Sequence, residues 1–300
     1  YQNTADMRTR GWELSVNWRD QIGKVGYRVG FNLSDSQSKI VKYNSNESGI
    51  LTSTLSNGST FWNYYEGKDL GEIWGYEYDG FYTVDDFTDT SSWKLKEGVP
   101  SIDGYNPRPG DVKFKNLMDD DRGTNMISGG DNTVSNPGDR KVIGNNTPRY
   151  LYGITLGANF KGFDLNVFMQ GTGKRDAWIA NNLKFPLYSD FKFIALYKDL
   201  GNYWKPVDAA NGDYTAANPN AEFPRIYGNY GNQGSNYRQS DKYLSDASYF
   251  RIKNVTLSYT FPKAWITKAS LSQLKAFVSI ENLATFSSLP KGIDPETLSW

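Results

Sequence analysis

The sequence predicts an all-β protein: an antiparallel transmembrane β-barrel, present as a partial arc of about six to eight strands with long extracellular loops. Three observations predict it. Apolar residues recur with period two along segments of strand length, which places them on one face of each strand. Tight turns alternate with very long polar connections, the asymmetry of outer-membrane barrels. And 15% aromatic residues with 29 glycines accompany a mean hydropathy of −0.63, as expected where strands average an apolar and a polar face rather than where helices pack into an enzyme core.

Taken in order, Trp12, Leu14, Val16 and Trp18 alternate with Glu13, Ser15, Asn17 and Arg19. A turn is predicted over residues 20–24. Val25, Tyr27, Val29, Phe31 and Leu33 then alternate with Gly26, Arg28, Gly30, Asn32 and Ser34. Each arm has roughly the 9–11 residues a tilted strand needs to cross a bilayer. A second hairpin runs through Tyr150, Tyr152, Ile154, Leu156, Ala158 and Phe160, turns at Lys161-Gly162, and returns through Phe163, Leu165, Val167 and Met169. A third pairs Val255, Leu257, Tyr259 and Phe261 with Ala276, Val278 and Ile280, across a connection opened by Pro262. The opposite faces carry small and polar residues, whereas the wet face of a soluble sandwich usually carries more Lys and Glu. Trp12, Trp18, Tyr27 and Tyr259 are expected to face lipid or the membrane interface.

The connections argue the same way. Stretches 36–71 and 172–246 far exceed the roughly 12–15 residues beyond which structureless loops are uncommon in compact soluble domains. Two weaker strand candidates lie near 72–84 and 109–117. The 85–108 segment between them is too long for a periplasmic turn, so the pair either joins the barrel or belongs to one extracellular excursion. No stretch approaches the roughly 18 apolar residues of a transmembrane helix. Residue 1 is a tyrosine followed by strand-like sequence, without the pattern of a signal peptide.

Composition also removes whole classes of chemistry. With no Cys and no His, disulfides, thiolate zinc sites, Cys-His and Ser-His-Asp catalysis and histidine metal ligation fall away together. Thirty-three basic and thirty-three acidic residues cancel, so no net field recruits nucleic acid. A glycosidase needs two carboxyl groups roughly 5–10 Å apart on a rigid frame. Asp85, Asp86, Asp119, Asp120, Asp121, Asp131 and Asp139 all fall in loops with no device that sets such a pair, and they read as solvated loop acids. We therefore expect no catalytic residues and no cofactor.

Several segments, in order along nearly the whole chain, carry a family resemblance. They are Asn3-Thr4-Ala5-Asp6-Met7-Arg8-Thr9-Arg10-Gly11-Trp12-Glu13-Leu14, Gly110-Asp111-Val112-Lys113-Phe114-Lys115, and Ile143-Gly144-Asn145-Asn146-Thr147-Pro148-Arg149-Tyr150. Phe160-Lys161-Gly162-Phe163-Asp164-Leu165 and Gly171-Thr172-Gly173-Lys174-Arg175-Asp176 follow, then Phe223-Pro224-Arg225. Asp246-Ala247-Ser248-Tyr249-Phe250-Arg251-Ile252-Lys253-Asn254 and Glu281-Asn282-Leu283 complete the set. Together they resemble the C-terminal barrel of the SusC/RagA-type TonB-dependent outer-membrane transporters. The resemblance implies residence in the outer membrane of a Gram-negative bacterium, among outer-membrane lipid, and import of oligosaccharides or peptides without catalysis. It implies a SusD-like surface lipoprotein as partner, and TonB acting through a plug expected before residue 1. Residues 1–300 would then be one barrel segment, with a closing strand expected beyond Trp300.

One stretch departs from the family pattern. The family's acidic loop often reads like a calcium loop, but here it is Asn116-Leu117-Met118-Asp119-Asp120-Asp121-Arg122-Gly123. An amide replaces the first acid, a methionine intrudes, and an arginine precedes the glycine; calcium wants spaced oxygen ligands around a sharp turn. We read it as a solvated acidic loop and assign no metal. For substrate binding, aromatic rings stack on the apolar faces of sugars, and loop 172–246 offers Trp178, Tyr188, Trp204 and Tyr230 as candidates. The competing reading for each is a membrane-interface residue or the packing core of a long loop. The rival for the whole chain is a soluble or secreted all-β carbohydrate-binding or glycan-cleaving domain.

Overall fold

The computed structural model describes residues 5–56, 59–102, 104–118, 125–179, 201–227, 235–267 and 270–298. Six strands form one sheet in chain order: β1 (Ala5–Ile22), β2 (Val25–Tyr43), β3 (Arg149–Phe160), β4 (Phe163–Lys174), β5 (Tyr249–Thr260) and β6 (Lys275–Ser287). These are the six strands that the period-two pattern predicts, and the pairs from β2 to β6 are all antiparallel.

The register carries the alternation from strand to strand. Val29, Leu156, Val167, Val255 and Ile280 are successive cross-strand partners and form one row. Shifted by one residue, Arg28, Gly157, Asn166, Thr256 and Ser279 form another. Successive side chains of a strand point to opposite faces, so one face of the sheet is aliphatic and the other polar. On the aliphatic face Val29 is 40% exposed, Leu257 48% and Val278 68%. A contiguous apolar surface of this kind is costly in water and is what hydrocarbon requires of a barrel exterior.

The turns differ in detail from the prediction. β1 runs on to Ile22, and the connection to β2 is two residues rather than five. Gly23 has φ +60 and begins a type II′ hairpin turn, while Lys161 and Gly162, at φ +47 and +88, form a type I′ turn. Both turn types match the twist of paired strands, so neither hairpin needs more residues. A four-residue helix, Lys263–Ile266, follows Pro262 between β5 and β6.

The chain divides into two compact units. One comprises Arg8–Ser38, Asn146–Asp176 and Asp246–Trp300 and contains most of the sheet; the other comprises Tyr1–Met7, Lys39–Asn145 and Ala177–Ser245. The second unit is folded, not bare loop. Val112, Phe114, Ile127, Phe223, Tyr237 and Tyr243 form its main buried core, and Leu51, Tyr65 and Trp74 a smaller one. The two weaker strand candidates become short strands here, at Glu72–Tyr76, Tyr78–Phe81 and Val112–Phe114, outside the six-stranded sheet. Ile73, Trp74 and Gly75 are buried in succession. Both faces of that strand are covered, which a barrel strand with one lipid-facing side does not allow.

Candidate functional site

The polar face of the sheet is built from small and hydrogen-bonding side chains. Arg28 of β2 reaches over β3 to β4, where it pairs with Asp164 at 3.6 Å and donates to Asn166. Gly157 makes this crossing possible: a Cβ there would sit 2.4 Å from the Arg28 Nε. Ser15 donates to Asn32 at 2.7 Å, Asn254 to Ser279 at 2.9 Å, and Thr256 to Asn254 at 2.8 Å. Such a surface can exchange hydrogen bonds with water or with a hydrophilic solute.

The folded loop unit is organised around a buried carboxylate. Asp111 has no exposed surface and receives three donors: the Arg108 backbone N–H at 2.7 Å, the Tyr227 hydroxyl at 2.6 Å and the Asn236 amide at 2.9 Å. Asn236 in turn accepts from the Val112 backbone N–H at 2.8 Å. Burial pushes the Asp111 carboxyl above its ordinary value, and the Tyr227 and Asn236 hydrogen bonds oppose that shift. Burial, and then Asp111 itself, push the Tyr227 hydroxyl up as well. Next door, Gly110 adopts φ +90 against the Trp204 ring, and its carbonyl accepts from the Arg225 N–H at 2.9 Å. Arg225 also lies over the Trp204 ring, 6.0 Å from its centroid. Residues from 105–115, 204, 223–227 and 236 thus meet in one cluster, which no spacing in the sequence announced.

Of the four predicted ring contacts, Trp204 is 4% exposed and packs on Gly110 and Arg225. Trp178 is half-buried against the main core, edge-on to Tyr243 at 6.3 Å. Tyr188 and Tyr230 lie outside the described residues. Tyr203, beside Trp204, packs on the same core as Trp178.

The loop acids divide in a way the sequence does not reveal. Asp131 is exposed, but Asp139 is fully buried and accepts from the backbone N–H groups of Leu117, Met118 and Ser128 at 2.6, 3.0 and 2.7 Å. It is therefore not a solvated acid. It organises the start of the acidic loop by holding the Leu117 and Met118 N–H groups and by pairing the buried N–H of Ser128. Asp119, Asp120 and Asp121 lie outside the described residues, and among the described residues no group of three or more acids is placed to hold a metal ion.

No family model matches the chain. Among curated proteins, "TonB-dependent receptor P3" of Formosa agariphila is 28% identical over 98% of this chain and 26% of its own length. "TonB-dependent receptor P39" of the same organism is 22% identical over 98% of this chain and 28% of its own length. Among solved structures, the RagAB peptide transporter matches 99% of this chain and 27% of its own with a TM-score of 0.61 at 18% identity. The RagAB peptide importer in its open-open state matches the same share with a TM-score of 0.59 at 20% identity. In sequence the chain is similar to TonB-dependent receptors, and in fold to the RagAB transporter. The barrel prediction, the aliphatic outer face and these matches agree on the outer membrane of a Gram-negative bacterium. The chain spans about a quarter of the length of the curated receptors it matches. In this receptor setting the polar face of the sheet is the inner side of the wall, because lipid takes the other.

Proposed function

We propose that the chain is wall and loop of an active importer that carries oligosaccharides or peptides across the outer membrane. The reading rests above all on the two-faced sheet: aliphatic toward lipid, small and hydrogen-bonding toward the interior, in register over five strands. Work on the solute is done by a TonB-coupled plug, and a SusD-like lipoprotein closes over the folded loops. The protein performs no covalent chemistry, in keeping with relatives described as receptors and importers. The rival reading, a soluble carbohydrate-binding or glycan-cleaving domain, gives no account of the aliphatic face.

Trp178, Tyr188, Trp204 and Tyr230 are the proposed solute-facing loop residues, acting in two ways. Trp178 keeps exposed surface and offers a stacking ring; Trp204, buried, holds the loops that present the others. The test is deletion of the full-length gene in its own bacterium, followed by growth on single oligosaccharides and on defined peptide mixtures. Growth should fail on one class and return with the gene. Unchanged growth on every substrate would sink the import reading, and wild-type uptake by Trp178→Ala would remove that ring from the solute path.

A further inference from the structure

After β6 the chain does not leave the sheet but folds back over its polar face. Gln170 of β4, Arg251 of β5 and Thr285 of β6 are successive cross-strand partners, and Gln170 lies four residues beyond Asn166, hence on the same face. Residues 288–298 lie across this row. Glu296 receives Arg251 at 2.7 Å, Lys253 at 2.7 Å and the Gln170 amide at 2.8 Å. Asp294 receives the other arm of Arg251 at 2.5 Å, while Arg251 Nε donates to Thr285 at 2.7 Å. Arg175, just past β4, donates to the carbonyls of Pro295 and Leu298, both at 3.0 Å. The segment therefore passes from β6 over β5 to β4, two strand spacings or about 10 Å of wall.

What holds it matters as much as where it lies. Only Leu289 and Pro295 are buried among residues 288–298; the rest of the attachment is ion pairs and hydrogen bonds. The Asp294 side chain is 44% exposed. Arg251 is only 7% exposed and Glu296 20%, so these pairs are sheltered while the segment is closed; when it lifts, water can take the place of each partner, which apolar contacts do not offer. An apolar clasp would be permanent, whereas this one can open. The up-and-down order also puts residues 288–298 at the end of the sheet from which the long connections leave, as β6 ends where β2 and β4 end.

We propose that residues 288–298 form a movable strap that narrows the solute path along the inner wall, latched by Arg251 and Lys253 on Glu296 and released for passage. This rests on the import reading. These 300 residues contain no cysteine; with any cysteine elsewhere in the full-length protein replaced by serine, Gln170→Cys and Glu296→Cys are introduced and bridged by a reducible bis-methanethiosulfonate, with each single variant as control. Bridging should abolish uptake of the substrate found in the growth assay, and reduction should restore it. Uptake by the bridged protein at the unbridged rate overturns the strap. A second measurement needs no import: Gln170→Cys, beneath the strap, should react faster with a monofunctional methanethiosulfonate when Arg251→Gln is added. Equal rates overturn the latch, whereas faster labelling in a protein that imports nothing would leave the latch standing and remove the import reading instead.

Discussion

Gly110 offers the sharpest test of how the loop unit is held. Its φ of +90 is unfavourable for a residue with a Cβ, and that Cβ would lie 2.3 Å from the Cδ2 and Cε3 atoms of Trp204. Gly98 supplies the control: φ is +86, with no atom within 4 Å of the position a Cβ would take. Gly98→Ala should cost about 1–2 kcal/mol, the backbone share alone. Gly110→Ala carries the same share plus the overpacking against a buried ring, about 1–3 kcal/mol more. The assay is proteolysis of the detergent-solubilised full-length protein in increasing urea, reading the loss of fragments from the loop unit. Combining Gly110→Ala with Trp204→Leu should recover roughly the overpacking share, a coupling of about 1–3 kcal/mol. The reasoning fails if Gly110→Ala is no worse than Gly98→Ala, or if the Gly110 and Trp204 changes simply add.

Three further outcomes follow from the same geometry. Lys115 and Lys141 hold the Glu77 carboxyl down at about 2 from an ordinary 4.5; its stabilisation is present above pH 4.5 and lost as pH falls toward 2, so acid titration should bring the wild type down to the stability of Glu77→Gln across that window. Val255→Arg, mid-strand on the lipid face, should cost about 2–4 kcal/mol, measured by refolding into bilayers, while Thr256→Arg on the inner face should cost far less. Gly157→Val meets Arg28 from Cγ to the guanidinium and must turn that side chain aside; as its pair with Asp164 is one-third exposed, losing the pair itself should cost about 1 kcal/mol or less. A large loss there, by thermal unfolding, would mean that the Arg28 crossing holds the sheet together.

The wall was legible because lipid imposes a rule on every residue of it. Unpaired backbone is not tolerated in hydrocarbon, so strands must be long, regular and two-faced, and Trp12 to Trp18 or Phe163 to Met169 declare that in their spacing. The loop unit obeys no such period. Its cluster joins residues more than a hundred positions apart, as when Val112 donates to Asn236, and in its strand Glu72–Tyr76 three successive residues are buried. Asp139 illustrates the limit. In the sequence it is one more aspartate in an acidic stretch; in the fold it is buried and satisfies three backbone donors. No local signal separates a buried carboxylate that organises backbone from a solvated one, because the difference lies in donors supplied by distant chain.

Five of the segments that carry the family resemblance share a physical role. Gly110-Asp111 sits at the loop cluster, and Arg225 binds back to the Gly110 and Pro109 carbonyls. Arg149 forks onto Asp35, Arg175 holds Pro295 and Leu298, and Arg251 joins Thr285 to the strap acids. Each is a place where chain enters, leaves or folds back onto regular structure, and where backbone or carboxylate groups need a charged partner. Lipid-facing positions accept almost any apolar residue, since hydrocarbon does not discriminate between Leu, Val and Ile. A junction does discriminate: a guanidinium presents a planar, fixed fork of donors, whereas an ammonium is a compact charge without that fork. Part of the recognisable sequence therefore gathers at these junctions, while the segments through Trp12 and Asn282 lie within strands β1 and β6, where the pairing register rather than a charged partner fixes the chain.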